Sequence, residues 1–257
     1  MQRPSDDPSS AALLSKTQRE LATNQSYQSS LELGLADLSL AESTLSEAGQ
    51  LLQRAREISL AAANGSATPA MRDAAALEIA GIRDALLGVA NTQGVSGYIF
   101  AGSQSQQEAF DSSYQFQGDA FEPKIKSGPS TEVVIRASGA RAFTSVGGRD
   151  LFQDLNDLET ALLANDGVAI TASLGALEAG REQLVQERAR TGMNMNRVEQ
   201  AQNLLGSQQM SQESLQATLA GADPAESISR LVEMQNAMQR ALAVSRQLLD
   251  LDSLSRF

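Results

Sequence analysis

Leu31, Leu38, Leu45 and Leu52 recur every seven residues, and Ala41, Ala48, Ala55 and Ala62 stand three places after Leu38, Leu45, Leu52 and Ser59. A seven-residue apolar period keeps one stripe of an α-helix turned toward a partner helix, and alanine in that stripe lets the partner backbone come close. The stretch opens at Asp7-Pro8, an N-cap followed by proline at the first helical position. It stops at Asn64-Gly65, a suitable C-terminal signal. As one helix it spans roughly 80 Å. A rod of that length cannot bury its own seam, so the chain must supply helical neighbours along it.

The rest of the chain provides them. A second helix is predicted from Thr68-Pro69, with Ala75, Ile79, Ile82, Leu86 and Val89 on one face. Its short connection to the first implies an antiparallel hairpin. Beyond Gly94 the period changes to short β-prone runs: Tyr98-Ile99-Phe100, Tyr114-Gln115-Phe116, Lys124-Ile125-Lys126 and Glu132 to Arg136. Gly, Pro, Ser and Asp punctuate them. Residues 111–148 therefore read as a small β-rich domain, and the Tyr98–Phe100 run as a hairpin of the helical body. Helices resume at Asp150 with Leu151, Leu155, Leu158 and Leu162, and pause at Asn165-Asp166-Gly167. Ile170, Leu177, Leu184, Val198 and Leu205 then share one heptad frame, in which Thr191 and Gln212 are polar breaks. Asp223-Pro224-Ala225-Glu226 combines an N-cap, proline and a capping-box glutamate. It starts a last helix with Ile228, Leu231, Met238 and Leu242 on one face. The expected fold is mainly α with an inserted small β domain: an elongated antiparallel helical bundle, a β-hairpin and a β-rich outer domain. Residues 1–110 and 149–257 form its two helical arms, and residues 111–148 the insertion. The heptad residues read as intramolecular core.

Composition narrows the function. With no cysteine and no histidine, the chain has no thiolate nucleophile, no disulfide, no His general base and no Cys or His zinc ligand. A formal net charge of −11 would repel nucleic acid and anionic lipid, and no basic patch offsets it. No run of eighteen apolar residues is present to span a bilayer. Gly97 to Ser103 has the outline of a phosphate loop, but Ser103 stands where the lysine is required. Asp6-Asp7 reads more simply as helix capping than as an acid/base or metal pair. The expectation is a protein with no catalytic site, no cofactor and no metal.

Four segments carry a resemblance. Arg3-Pro4-Ser5-Asp6-Asp7-Pro8 stands at the first. Ala90-Asn91-Thr92 with Gly97-Tyr98-Ile99-Phe100-Ala101-Gly102-Ser103, followed by Phe110, forms the second. Arg190-Thr191-Gly192 through Asn196-Arg197-Val198-Glu199 is the third, and Asp223-Pro224-Ala225-Glu226-Ser227-Ile228 the fourth. Together, and in this order, they resemble the motifs of the FlgL family of flagellar hook-associated proteins, within the flagellin superfamily. The β insertion carries no such match. What the resemblance implies is a flagellin-like fold and a structural role. Its members are exported unfolded by the flagellar type III apparatus, with a chaperone. They form an extracellular ring that joins the hook, through FlgK, to the filament of flagellin. Two departures lead to further expectations. The first motif begins at the third residue and the end lacks a short apolar tail, so terminal helices of the family are expected to be missing and this chain to be monomeric in dilute solution. A flagellin filament subunit is one alternative, although flagellins carry a G-D-D-A-A-G text in place of Pro4 to Pro8. A generic coiled-coil adaptor is another.

Overall fold

The computed structural model describes residues 8–128, 131–220 and positions 232, 233 and 235. Pro4, Asp6, Asp7, Asp223, Glu226, Ile228, Leu231, Met238 and Leu242 lie outside the described residues. The elements are α1 (Pro8–Ala63), α2 (Pro69–Ala90), β1 (Gln93–Gly94), β2 (Gly97–Tyr98), β3 (Lys124–Lys126), β4 (Glu132–Val134), α3 (Gly139–Phe143), α4 (Leu151–Leu163) and α5 (Gly167–Ala220). The fold class is the one the sequence indicates: helices with a small inserted β region. Residues 27–203 make one compact unit; the described residues up to Ser26 and from Leu204 make another.

In the larger unit, the α1 heptad leucines Leu31, Leu38, Leu45 and Leu52 and the seam alanines Ala41, Ala48 and Ala55 are buried. So are Ile79, Ile82 and Leu86 of α2, Leu151, Leu155 and Leu158 of α4, and Leu177, Leu184 and Val198 of α5. Cross-links between side chains give the helix directions. Arg188 pairs with Glu42 and Arg56 with Glu178, so α5 runs against α1. Arg54 meets Glu78, and Arg72 Nε donates to Ala62 O at 3.0 Å, so α2 also runs against α1. Arg83 reaches Glu159 at 2.7 Å while Arg72 bonds Asn165, which sets α4 against α2. Each turn is fixed by local chemistry. Thr68 Oγ1 accepts from Met71 N with Pro69 just inside the helix, and Asp150 Oδ1 accepts from Phe152 N and Gln153 N at 3.1 and 3.0 Å.

The inserted stretch is less regular than its text. The β1–β2 hairpin pairs Gln93 with Tyr98 and Gly94 with Gly97, and β3–β4 pairs Ile125 with Val133. The strand expected at Tyr114–Phe116 is a single antiparallel bridge from Phe116 to Phe110. Residues 139–143, where no helix is legible, form α3, because Ser138 Oγ caps it by accepting from Arg141 N at 3.3 Å. Its Ala140, Ala142 and Phe143 are buried with the helices. The aromatic cluster is shared accordingly: Phe143 meets Phe100 edge-on at 5.2 Å, and Phe110 lies 4.8 Å from Phe152 of α4.

In the smaller unit, Thr17, Leu21 and Asn24 of α1 and Leu205 and Ala217 of α5 are buried. Asn24 donates from Nδ2 to Gln212 Oε1 at 2.9 Å, so the polar break at Gln212 is met by a polar residue on the facing helix. Such a pair favours one register over its slips, since any other alignment would leave an amide against an apolar side chain.

Candidate functional site

The segment after α2 turns a helix end into a docking platform. Asn91 caps α2 and pairs with Phe110 like a neighbouring strand, donating from Nδ2 to its carbonyl at 2.7 Å and accepting from its amide at 2.8 Å. Tyr98 N donates to Ser105 O at 2.9 Å, while Ile99 and Phe100 are fully buried. Two glycines are obligatory here. Gly97 has φ +99° and Gly102 φ +66°, and an added Cβ would strike Ser105 O in one case and Asp119 in the other. Asp119 takes the amide of Ser103 at 2.9 Å, its hydroxyl, and the amide of Phe121 at 3.0 Å.

The hydroxyl and then the amide of Ser103 hold the Asp119 carboxyl below its ordinary 3.8. A lowered carboxyl stabilises the fold above its unfolded value, and that contribution is lost as pH falls through the folded one. The Ser103 amide signal is therefore expected to titrate below pH 3.8 in NMR, and to lose that step in Asp119→Asn. A step at or above 3.8 would contradict the assignment.

Three polar constellations clamp this platform to the helices, and none of them is legible in the sequence. Buried Arg136 donates to Ser96 O at 2.7 Å and Gly102 O at 3.3 Å, with Nε 3.8 Å from Asp37 Oδ2 of α1. Asp37 Oδ1 accepts from Val95 N at 3.0 Å, so one carboxylate on α1 holds both the hairpin tip and the guanidinium. Glu187 of α5 accepts from Ser138 N at 2.9 Å and Arg141 Nε at 3.0 Å, and Arg141 also pairs with Glu122. Gln183, one turn earlier, donates to Ala142 O and Arg149 O, both at 3.0 Å, and accepts from Arg149 N. The available signal is a four-residue spacing, Gln183-Glu187, that borders the apolar frame of α5, meets it at the polar break Thr191, and resembles a solvated face.

Against this platform, Gly192, Asn196 and Arg197 fall elsewhere on α5. Asn196 and Arg197 are exposed, and nothing lies within 4 Å of a Cβ built on Gly192. A second surface feature is a groove of about 510 Å³ between α1 and α5. Leu45 and Leu184 form its floor, Gly49 and Val185 its wall, and Arg54, Arg181 and Arg188 its rim. No helix among the described residues is long and apolar enough to cross a membrane.

The chain is similar to known proteins. Residues 1–105 match the family of the bacterial flagellin N-terminal helical region. The flagellar hook-associated protein 3 of Escherichia coli (strain K12) is 29% identical, across 99% of this chain and 87% of that protein. A solved flagellar hook-associated protein of Vibrio parahaemolyticus superposes with a TM-score of 0.76 at 20% identity, over 84% of this chain and 100% of its own. FlgL of Xanthomonas campestris does so at 0.70 and 17% identity, over 79% and 99%.

Proposed function

We propose that this chain is a member of the FlgL, or hook-associated protein 3, family of flagellar proteins and a structural subunit of the hook–filament junction. It is not an enzyme. The observation that carries the reading is the motif run from Asn91 to Phe110, in which the family-matching residues build the platform that ties the insertion to the helices. In this role the heptad residues of the helices within residues 27–203 form a stiff body. Residues 111–148 form the outward insertion, with Phe143 anchoring its exit. Neighbours in the flagellum are FlgK on the hook side and flagellin on the filament side, with further copies of the chain in a ring. The setting is extracellular, after type III export with a chaperone. A chain without cysteine suits export in the unfolded state, since no disulfide can form before transit.

Localisation tests this. A cysteine at exposed Phe121, labelled with a maleimide dye in cells, should give one narrow band between hook and filament. Label along the whole filament would make the chain a flagellin, and no flagellar label would make it an adaptor of another kind.

A further inference from the structure

We propose that the α1–α5 groove receives the outer face of α2 from a second copy of this chain, in a head-to-tail contact. The inference rests on the junction reading, which sets copies side by side, and names the faces they use.

Leu45 and Leu184 on the floor of the groove are each 1% exposed, and space is open above Gly49. Within the same unit, Gly34 and Gly180 have intramolecular reasons to be glycine: an added Cβ would lie 2.8 Å from Ile135 Cβ in one case and 2.6 Å from Leu151 Cδ2 in the other. Gly49 has no such neighbour within 4 Å, nor have Gly81 and Gly88 of α2. Glycine inside a helix costs about 1 kcal/mol relative to alanine. At these three positions, as at Gly175 and Gly192 of α5, nothing in the chain's own fold uses the space that cost provides, and Gly49, Gly81 and Gly88 are the ones on the groove and on the outer side of α2.

The outer side of α2 has the complementary form. Asp73, Leu77, Gly81, Asp84 and Gly88 fall within an arc of roughly 80° on its outer side. Leu77 is 77% exposed there, a large apolar side chain flanked by a glycine one turn on. A helix with this face can bring its backbone close to a neighbour and insert one leucine into an apolar floor.

Charge makes the occupant specific. The basic residues of α2, Arg72 and Arg83, turn inward, leaving Asp73 on the outer side and Asp84 beside it with one oxygen accepting from the Tyr114 hydroxyl, and Asp157 of α4 is also exposed. The groove presents three basic residues, Arg54, Arg181 and Arg188, against one acidic residue, Glu57, which pairs with Arg54. Their present partners, Glu78, Glu178 and Glu42, are reached across partly exposed surface, where such pairs contribute little, so an incoming aspartate adds to them at small cost. Two grooves facing each other would set arginine against arginine. The contact is therefore heterologous, the type that forms a ring where the rotation between copies closes.

The chain has no cysteine, so introduced pairs report unambiguously. Gly49→Cys and Gly81→Cys are placed together in the protein expressed in cells lacking the native copy, and flagella are isolated and oxidised. A ladder of cross-linked copies is expected with both cysteines, and none with either alone. Adding Arg181→Glu and Arg188→Glu should reduce the ladder roughly tenfold, and Asp73→Arg with Asp84→Arg on the same chain should restore it. A chain that sits at the junction but gives no ladder, or gives dimers from Gly49→Cys alone, overturns the proposal and leaves the junction reading intact. A ladder indifferent to the charge swap also overturns it. A chain absent from the flagellum removes both.

Discussion

Asp37→Ala is expected to lower stability by about 3–5 kcal/mol, among the largest losses any single polar substitution in this fold should cause. The carboxylate is buried on α1, one residue from seam leucine Leu38, and it receives Val95 N and faces Arg136. Removing it leaves a guanidinium buried with only two carbonyls, Ser96 O and Gly102 O, as partners. It also frees the tip of the β1–β2 hairpin. Asp37→Asn keeps an acceptor for Val95 and should lose less. Replacing both members with apolar residues, Asp37→Leu with Arg136→Met, should recover much of the loss, because the desolvation of two charges is removed together. Urea unfolding with an unchanged m-value checks all three. If Asp37→Ala falls within about 0.5 kcal/mol of the parent, the pair is not the clamp described.

How far the sequence speaks depends on the distance over which each feature is encoded. Helix starts at Thr68-Pro69 and Asp150 are legible because capping is a contact between residues two or three apart. The α1 stripe is legible because its period is repeated four times over. Asp37 and Arg136 share no such relation. One lies on α1 and the other in the insertion, and an aspartate beside a leucine stripe looks like the edge of a solvated face. Glu187 and Gln183 are hidden for the same reason, since their partners belong to the returning segment 138–149. Helix α3 is hidden by length, because five residues are too few to show a 3.6-residue period. The groove is illegible for another reason: α1 and α5 create it only by lying together, and no property of either helix alone marks it.

The aromatic run from Tyr98 to Phe143 gives the clearest case of a correct local reading with an incomplete spatial one. Strand text dominates the insertion, yet its final aromatic, Phe143, belongs to the helical core, fully buried against Phe100 and 5.9 Å from Phe110. Phe143→Ala is therefore expected to cost about 3–5 kcal/mol, the range for emptying a buried aromatic site. Phe121→Ala, at a side chain 60% exposed, should stay within about 0.5 kcal/mol. The same contrast sets where the insertion is separable. Ile135 N donates to Pro123 O at 3.1 Å, so residues 123 and 135 are neighbours, and a short Gly/Ser link replacing 124–134 closes the gap without moving either arm. That excision removes the β3–β4 ribbon, which touches α1 where Ile125 and Ile135 approach Gly34, and should leave a cooperative, mostly helical melt. Excising 111–148 whole also removes Phe143, Arg136, the Ser138 and Arg141 partners of Glu187 and the Ala142 partner of Gln183, and should abolish the cooperative transition. Circular dichroism melts of the two excisions decide the matter. If both melt alike and cooperatively, α3 is dispensable and the helical arms hold together without it.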